Sequence, residues 1–132
     1  MSNTLQITPF MHVRDLQSAV AFMEEVLGFS TAVRMGDAYA YLEREGAGIR
    51  VMAYPDAHVF EGGRDRFAYY IDVRDVDLVY AELRPRLEAL PAGDVHGPAD
   101  KDYGQRELLI RAPDGQLFVF GAAIGGKETG RG

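Results

Sequence analysis

The tripeptide Val13-Arg14-Asp15 recurs as Val73-Arg74-Asp75, 60 residues further along the chain. An apolar pattern typical of a helix follows each copy. In a chain of 132 residues, this period indicates two copies of one structural module, each too small to bury its apolar face alone. We expect two curved half-sheets to pack face to face and to leave a ligand-binding cleft between them.

The first module begins with a predicted strand and helix. Alternation over residues 5–13 predicts a strand that carries Thr8, Phe10 and His12 on one face. Asp15 is expected to cap a helix that ends at Gly28, where a left-handed backbone suits glycine. Residues 38–43 and 49–54 are predicted to form two further strands, joined by a turn at residues 45–48.

The second module repeats this order. Residues 67–73 are predicted to form a strand, and the following helix is expected to end or kink near Arg84 because proline follows at position 85. Residues 106–112 and 116–122 are predicted strands, paired through a Pro-Asp-Gly turn. Residues 91–102 show little periodicity and predict no clear strand.

Together these patterns predict an α+β fold of two tandem β-α-β-β-β modules, with the helices outside and the cleft inside. The chain is expected to be a single domain of two pseudo-repeats. The predicted first module covers residues 5–54 and the second covers residues 67–123. Residues 55–66 are interpreted as a linker, and residues 124–132 as a flexible, Gly-rich tail.

Composition excludes several classes of function. The chain is 47% hydrophobic and 26% charged, as expected of a globular protein. It contains no cysteine, so it has no disulfide, no thiolate nucleophile and no Cys-based zinc site. Its net charge of −6 argues against a nucleic-acid partner. No membrane span or secretory signal is visible in the sequence, so a cytoplasmic location is expected.

Three stretches of the chain resemble the vicinal oxygen chelate superfamily, which includes glyoxalases, extradiol dioxygenases and bleomycin-resistance proteins. These are the Val-Arg-Asp-Leu opening through Leu27-Gly28-Phe29, the opening of the second module at residues 72–77, and the closing residues 103–116. The closing stretch is most similar to the bleomycin-binding branch, in which an aromatic-Gly-x-Arg-Glu motif precedes an Asp-Pro-x-Gly-Asn turn. Here Tyr103 replaces the usual Trp, and Ala-Pro-Asp-Gly-Gln at residues 112–116 replaces the usual turn.

The resemblance also implies where a metal would be held. Enzymes of this superfamily bind a divalent ion with a His or Gln and a Glu from each module. The corresponding positions here are Thr8, Ala68, Val119 and one of residues 50–52, and none of them carries a carboxylate. Such a set does not supply the ligands that a divalent ion requires. We therefore expect no metal and no cofactor.

Aromatic residues on the predicted strands are the main candidates for ligand binding, because tyrosine offers a flat apolar ring with a polar tip. An Asp among such rings is suited to attracting a cation. Phe118 and Phe120 are instead interpreted as core. The predicted ligand-binding residues are Phe10, His12, Tyr39, Tyr41, Met52, Tyr54, Tyr70, Asp72, Tyr103 and Arg106.

Two residue pairs leave alternatives open. His12 and Asp72 occupy equivalent positions in the two modules, so an unusual metal or acid–base role competes with an ordinary polar role at a strand end. Arg106 and Glu107 either fix a ligand or form a salt-bridged pair that holds the strand.

The resemblance predicts a metal-free protein that binds a small antibiotic-type, bleomycin-like molecule and acts by sequestration in the cleft of a homodimer. An aromatic, cationic ligand is expected. The alternative is a metal-dependent enzyme of the same superfamily. It would be a lyase or a transferase of the glyoxalase or dioxygenase type. Neither nucleic acid nor a membrane is expected as a partner. Because the fold serves many functions, the fold alone does not identify the ligand.

Overall fold

Each sequence module forms its own four-stranded sheet with one helix. The computed structural model describes residues 3–54 and 67–126. The chain divides into two compact units, Met1–Glu61 and Gly62–Gly132. In each unit a strand, a helix and three more strands follow one another along the chain, so the predicted α+β class and the repeated β-α-β-β-β order are confirmed. The predicted linker, residues 55–66, lies outside the described residues.

The first unit contains β1 (Phe10–Val13), α1 (Leu16–Glu25), β2 (Ser30–Met35), β3 (Tyr39–Arg44) and β4 (Ala47–Ala53). Its strands lie in the order β1-β4-β3-β2. Strand β1 is parallel to β4, and the other neighbours are antiparallel. Helix α1 makes the crossover that a parallel pair requires.

The second unit contains β5 (Ala68–Asp72), α2 (Val76–Leu87), β6 (Val95–Asp100), β7 (Gln105–Arg111) and β8 (Leu117–Ala123). Its strands lie in the order β5-β8-β7-β6, with β5 parallel to β8. This is the same topology as in the first unit, element for element. A short 3-10 helix, Ala92–Asp94, precedes β6, and another, Ile124–Gly126, follows β8 and begins the predicted tail.

The Asp at the end of each repeated tripeptide caps the helix that follows it. The Asp15 carboxylate accepts a hydrogen bond from the backbone N–H of Ser18 at 2.9 Å. The Asp75 carboxylate accepts from the N–H groups of Asp77 at 3.0 Å and Leu78 at 3.3 Å. Each tripeptide thus ends on the residue that satisfies the first free N–H groups of its helix. Helix α1 ends at Glu25 rather than at Gly28, and Gly28 has the predicted left-handed backbone, with φ of 80°.

The core of each unit lies between its helix and one face of its sheet. Strand alternation turns every second side chain toward the helix, where it is buried with the apolar stripe of that helix. Phe118 and Phe120 are buried, as predicted. The buried residues of the first unit include Met11, Val13, Leu16, Val20, Met23, Leu42 and Val51, and those of the second include Val76, Val79, Leu83, Leu108, Ile110, Phe118 and Phe120.

Several predicted boundaries were wrong. Strand β1 begins at Phe10 rather than at residue 5, and the side chains of Leu5 and Ile7 are 94% and 92% exposed. The alternating pattern extends beyond the residues that join the sheet, where the carbonyl of Pro9 still accepts a hydrogen bond from the N–H of Arg50 on β4 at 3.0 Å. Helix α2 continues through Pro85 to Leu87. Proline is accommodated because only one backbone hydrogen bond is lost in the last turn, while Leu87 remains buried.

The turn predicted at residues 45–48 is shorter than expected. Glu45 and Gly46 have φ of 51° and 88°, and Arg44 pairs directly with Ala47. A two-residue turn with positive φ at both positions matches the twist of the strands that it joins. Gly48 consequently belongs to β4. The strands β2 and β6 were not delineated by the sequence, because both are edge strands with mostly exposed or half-exposed side chains.

In the described ranges, no helix is long and apolar enough to cross a membrane.

Candidate functional site

Each sheet has one face that its own helix does not cover, and we call this the open face. In the first unit, Phe10 and His12 on β1 alternate with the buried Met11 and Val13. Side chains with the same alternation on β3 and β4 extend this face. The predicted residues that lie along it are Phe10, His12, Tyr39, Tyr41 and Met52, with Tyr54 just beyond β4.

The rings on this open face form a continuous row. The ring centroid of Phe10 lies 6.1 Å from that of His12 and 6.2 Å from that of Tyr39. The His12 and Tyr54 centroids are 5.2 Å apart. All three pairs are tilted, which is a favoured arrangement for aromatic rings. The structure therefore brings these four predicted residues together, and the row presents an apolar surface with polar tips.

Arg50 adds a positive charge to the same row. Its guanidinium donates a hydrogen bond to the hydroxyl of Tyr39 and lies 5.3 Å from the ring centroid of Tyr41. The second contact is a cation–π interaction. Arg50 was not among the predicted site residues. The signal that identifies it is the β4 alternation, which places residues 50 and 52 on one face.

The open face of the second sheet is built around a carboxylate. The hydroxyl of Tyr70, on β5, donates to Oε2 of Glu107 at 3.0 Å. The hydroxyl of Tyr103, just before β7, donates to Oε1 of the same side chain at 2.8 Å. Glu107 is only 5% exposed, whereas Tyr70 and Tyr103 are 45% and 64% exposed. We call these three residues the carboxylate–phenol cluster.

The carboxylate changes the acidity of both phenols. Burial and the hydrogen bond to Glu107 raise the pKa of Tyr70 well above its ordinary value, and the charges of Glu107 and Asp72 add to this effect. The hydrogen bond to Glu107 is the main cause of the raised pKa of Tyr103. A phenol with an ordinary pKa is already neutral at neutral pH, and the raised pKa values extend this neutral, hydrogen-bond-donating state to higher pH. The predicted residue Asp72 is an exposed neighbour that contributes negative charge to this face.

Gly121 leaves the space through which Tyr70 reaches the carboxylate. Gly121 pairs directly with Glu107 across β7 and β8. A Cβ at position 121 would overlap the hydroxyl and ring of Tyr70. Glycine inside a strand often marks a place where another group approaches the backbone closely. In the first sheet Gly48 also lies beneath a phenol, that of Tyr41, which is on β3.

Arg106 lies on the opposite face of β7 from Glu107. Its guanidinium contacts Asp77 on α2, with 3.1 Å between Nη2 and Oδ1, and Asp100 on β6, with 3.0 Å between Nη1 and Oδ1. The proposed salt bridge between Arg106 and Glu107 was therefore wrong, because adjacent strand residues point to opposite faces. Arg106 joins the helix to the sheet, and Glu107, which was not among the predicted site residues, faces the two tyrosines.

The positions that the superfamily's enzymes use for a metal carry unsuitable side chains. Ala68 on β5 and Val119 on β8 offer no donor atom, and Arg50 carries a positive charge in the first-unit segment where a carboxylate would be expected. Thr8 precedes β1. No group of three or more His, Asp or Glu side chains is placed to hold a metal ion within residues 3–54 and 67–126. The residues at these positions do not fit the metal site of those enzymes.

Known structures share this fold over most of their length. A bleomycin-binding protein complexed with bleomycin is 24% identical with a TM-score of 0.73, and the match covers 90% of this chain and 98% of that one. The bleomycin-binding protein from the bleomycin producer Streptomyces verticillus, complexed with copper(II)-bleomycin, is 20% identical with a TM-score of 0.75 and coverage of 93% and 99%. A lactoylglutathione lyase from Agrobacterium tumefaciens is 16% identical with a TM-score of 0.67 and coverage of 95% and 100%.

No curated protein sequence matches the chain significantly. The family model described as the Glyoxalase/Bleomycin resistance protein/Dioxygenase superfamily matches residues 6–120. That range contains both repeats, both helices and all eight strands except the last residues of β8. The chain belongs to the glyoxalase/bleomycin resistance protein/dioxygenase superfamily.

Proposed function

We propose that this protein binds a small aromatic molecule of the bleomycin type and acts by sequestering it rather than by transforming it. The observation that carries this proposal is the row of rings on the first open face. There Phe10, His12, Tyr39 and Tyr54 form a continuous aromatic surface. Planar ligand rings stack favourably on such a surface. The similarity to two bleomycin-binding proteins supports the same choice of ligand.

The proposal includes binding without a protein-held metal. The donor atoms at the positions used by the superfamily's enzymes are missing, since Ala68 and Val119 carry apolar side chains. Hydrogen-bond donors, aromatic rings and charges remain, and these suit recognition of a ligand. We further propose that the protein acts as a homodimer and that Phe10, His12, Tyr39, Tyr41, Met52, Tyr54, Tyr70, Asp72 and Tyr103 contribute to the binding surfaces.

Titration calorimetry with metal-free bleomycin tests the ligand. We expect saturable binding by the wild-type chain, and an affinity reduced by about tenfold in each of Tyr39→Ala, Tyr70→Ala and Tyr103→Ala, because a ring or its hydroxyl is lost. Tyr80→Ala is the matched control, since Tyr80 lies on α2 beside Arg84. Equal affinity in all four variants would overturn the assignment of the open faces.

Metal analysis tests the rest of the proposal. The protein is incubated separately with zinc, nickel, manganese and ferrous iron, desalted, and assayed by elemental mass spectrometry. We expect no ion to be retained at a stoichiometric level. One tightly held ion per chain would favour the alternative, a metal-dependent lyase or dioxygenase, and would make His12 and Asp72 the first residues to replace. Sedimentation velocity tests the dimer.

A further inference from the structure

We propose that Glu107 is the binding site for a positively charged group of the ligand, an amidinium, guanidinium or ammonium. This inference rests on the proposed function and deepens it, because it assigns a positive charge to the ligand and names the residue that binds the charged group. The site consists of the carboxylate–phenol cluster on the open face of the second sheet. It lies entirely within the second unit.

The hydrogen bonding of Glu107 is incomplete for an ionised carboxylate. Its two oxygens together accept about four hydrogen bonds. In the part of the chain that the structure describes, the carboxylate accepts from two phenols and no Arg, Lys or His pairs with it. Burying a charge is costly unless the charge is paired. Two neutral donors offset only part of this cost, and a cation from the ligand would complete the arrangement.

The surroundings of the carboxylate favour a cation over an anion. Asp72 and Asp102 are close enough to the cluster to raise the pKa values of Tyr70 and Tyr103, respectively, by their negative charges. The two phenol rings are half exposed or more, so their faces can take part in cation–π contacts. The phenols donate their protons to Glu107, which leaves their oxygen lone pairs to accept from a ligand N–H group.

An organic cation fits this cluster better than a metal ion does. The phenols are neutral donors with raised pKa values, whereas a metal ion would require their protons to be displaced from the hydrogen bonds to Glu107. A planar amidinium or guanidinium instead offers N–H donors in the fork geometry that a carboxylate accepts. Gly121 keeps the floor of the cluster free of a side chain, so that Tyr70 can lie against the backbone.

Benzamidinium and benzamide are suitable probes, because they have nearly the same shape and differ in charge. Each is titrated into the 15N-labelled chain, and binding is followed by two-dimensional NMR. We expect benzamidinium to bind at least about tenfold more tightly than benzamide, with the largest shifts at the amides of Tyr70, Glu107 and Gly121. In Glu107→Gln the preference for the cation is expected to disappear, while benzamide binding is unchanged.

Glu88→Gln is the matched control, because it makes the same chemical change on a side chain that is 62% exposed at the end of α2. We expect it to retain the preference for benzamidinium. Equal affinity of the wild-type chain for both probes, no shift at the cluster with either probe, or unchanged benzamidinium binding by Glu107→Gln would overturn the inference. Saturable binding of calcium chloride at Glu107 in place of benzamidinium would also overturn it, in favour of a metal site.

The failure of this inference is distinguishable from that of the proposed function. If bleomycin binds and the aromatic variants weaken its binding while Glu107→Gln does not alter the charge preference, the cation site is wrong and the function stands. If bleomycin does not bind to any form of the chain while benzamidinium binds at Glu107, the cation site stands and the choice of ligand is wrong.

Discussion

Arg106 and Glu107 are neighbours in the sequence, but they serve opposite faces of β7. The Arg106 guanidinium forms a salt bridge with Asp77 at the start of α2 and a second one with Asp100 on β6. Glu107 accepts hydrogen bonds from the hydroxyls of Tyr70 and Tyr103 on the other face. One dipeptide therefore fastens the helix to the sheet and provides the polar centre of the open face.

The first prediction separates these two roles. Arg106→Gln is expected to lower the midpoint of urea unfolding, because Asp77 and Asp100 lose their shared cation, and to leave the benzamidinium affinity unchanged. Glu107→Gln is expected to abolish the preference for benzamidinium with a smaller effect on unfolding. Urea titration and the NMR titration measure both properties. A loss of benzamidinium binding in Arg106→Gln with native stability would contradict the separation.

The second prediction concerns the two phenols of the carboxylate–phenol cluster. The pKa of Tyr103 is raised mainly by its hydrogen bond to Glu107, whereas burial is the largest cause for Tyr70. In Glu107→Gln we expect the pKa of Tyr103 to return toward its ordinary value of 10.0, and that of Tyr70 to stay above this value. Titration of 13Cζ-labelled tyrosine by NMR resolves the two residues. Equal changes at both phenols would contradict this assignment of causes.

The same shifts have a consequence for stability at high pH. A phenol whose pKa is raised in the folded state stabilises the fold fully below its unfolded pKa, and this contribution is lost as pH rises through the folded pKa. Wild-type stability is therefore expected to fall above about pH 10, and to fall less steeply in Glu107→Gln. Denaturant titrations across this range provide the measurement.

The third prediction concerns acid unfolding and the cap of α1. Hydrogen bonds from the Ser18 side chain and backbone hold the pKa of Asp15 below its ordinary value of 3.8. A lowered pKa stabilises the fold above the unfolded pKa, and this contribution is lost as pH falls through the folded value. Asn is also a good N-cap but does not titrate. We expect Asp15→Asn to unfold less steeply than wild type below about pH 4, as followed by circular dichroism, and an identical acid profile would refute this role.

The fourth prediction compares the two faces of the sheets. Phe120 is fully buried, so Phe120→Ala is expected to lower the free energy of unfolding by about 3–5 kcal/mol. Phe10 is 46% exposed on the first open face, and Phe10→Ala is expected to cost about 1 kcal/mol or less. Bleomycin affinity is expected to fall in Phe10→Ala and to be nearly unchanged in Phe120→Ala, provided that Phe120→Ala is still folded. Equal destabilisation by the two substitutions would contradict the assignment of the faces.

Local patterns in the amino-acid sequence predict the module repeat, the N-cap at Asp15 and the two faces of most strands. These features depend on local patterns, because a cap needs only its own first turn and alternation needs only one strand. For this reason alternation alone predicts that Phe10 and His12 share one face of their strand, and that Phe118 and Phe120 lie in the core. The strand start at Phe10 was missed because pairing, rather than alternation, decides where a strand begins.

Contacts between side chains on different strands depend on the tertiary structure. Tyr70 reaches Glu107 because β5 and β7 both flank β8 and because Gly121 leaves room between them. These residues are 37 positions apart in the sequence, and no local pattern links them. Arg106 likewise meets Asp77 only because α2 brings that carboxylate beside β7. Sheet register and helix docking are long-range properties, and in this chain they create the contacts that make the site.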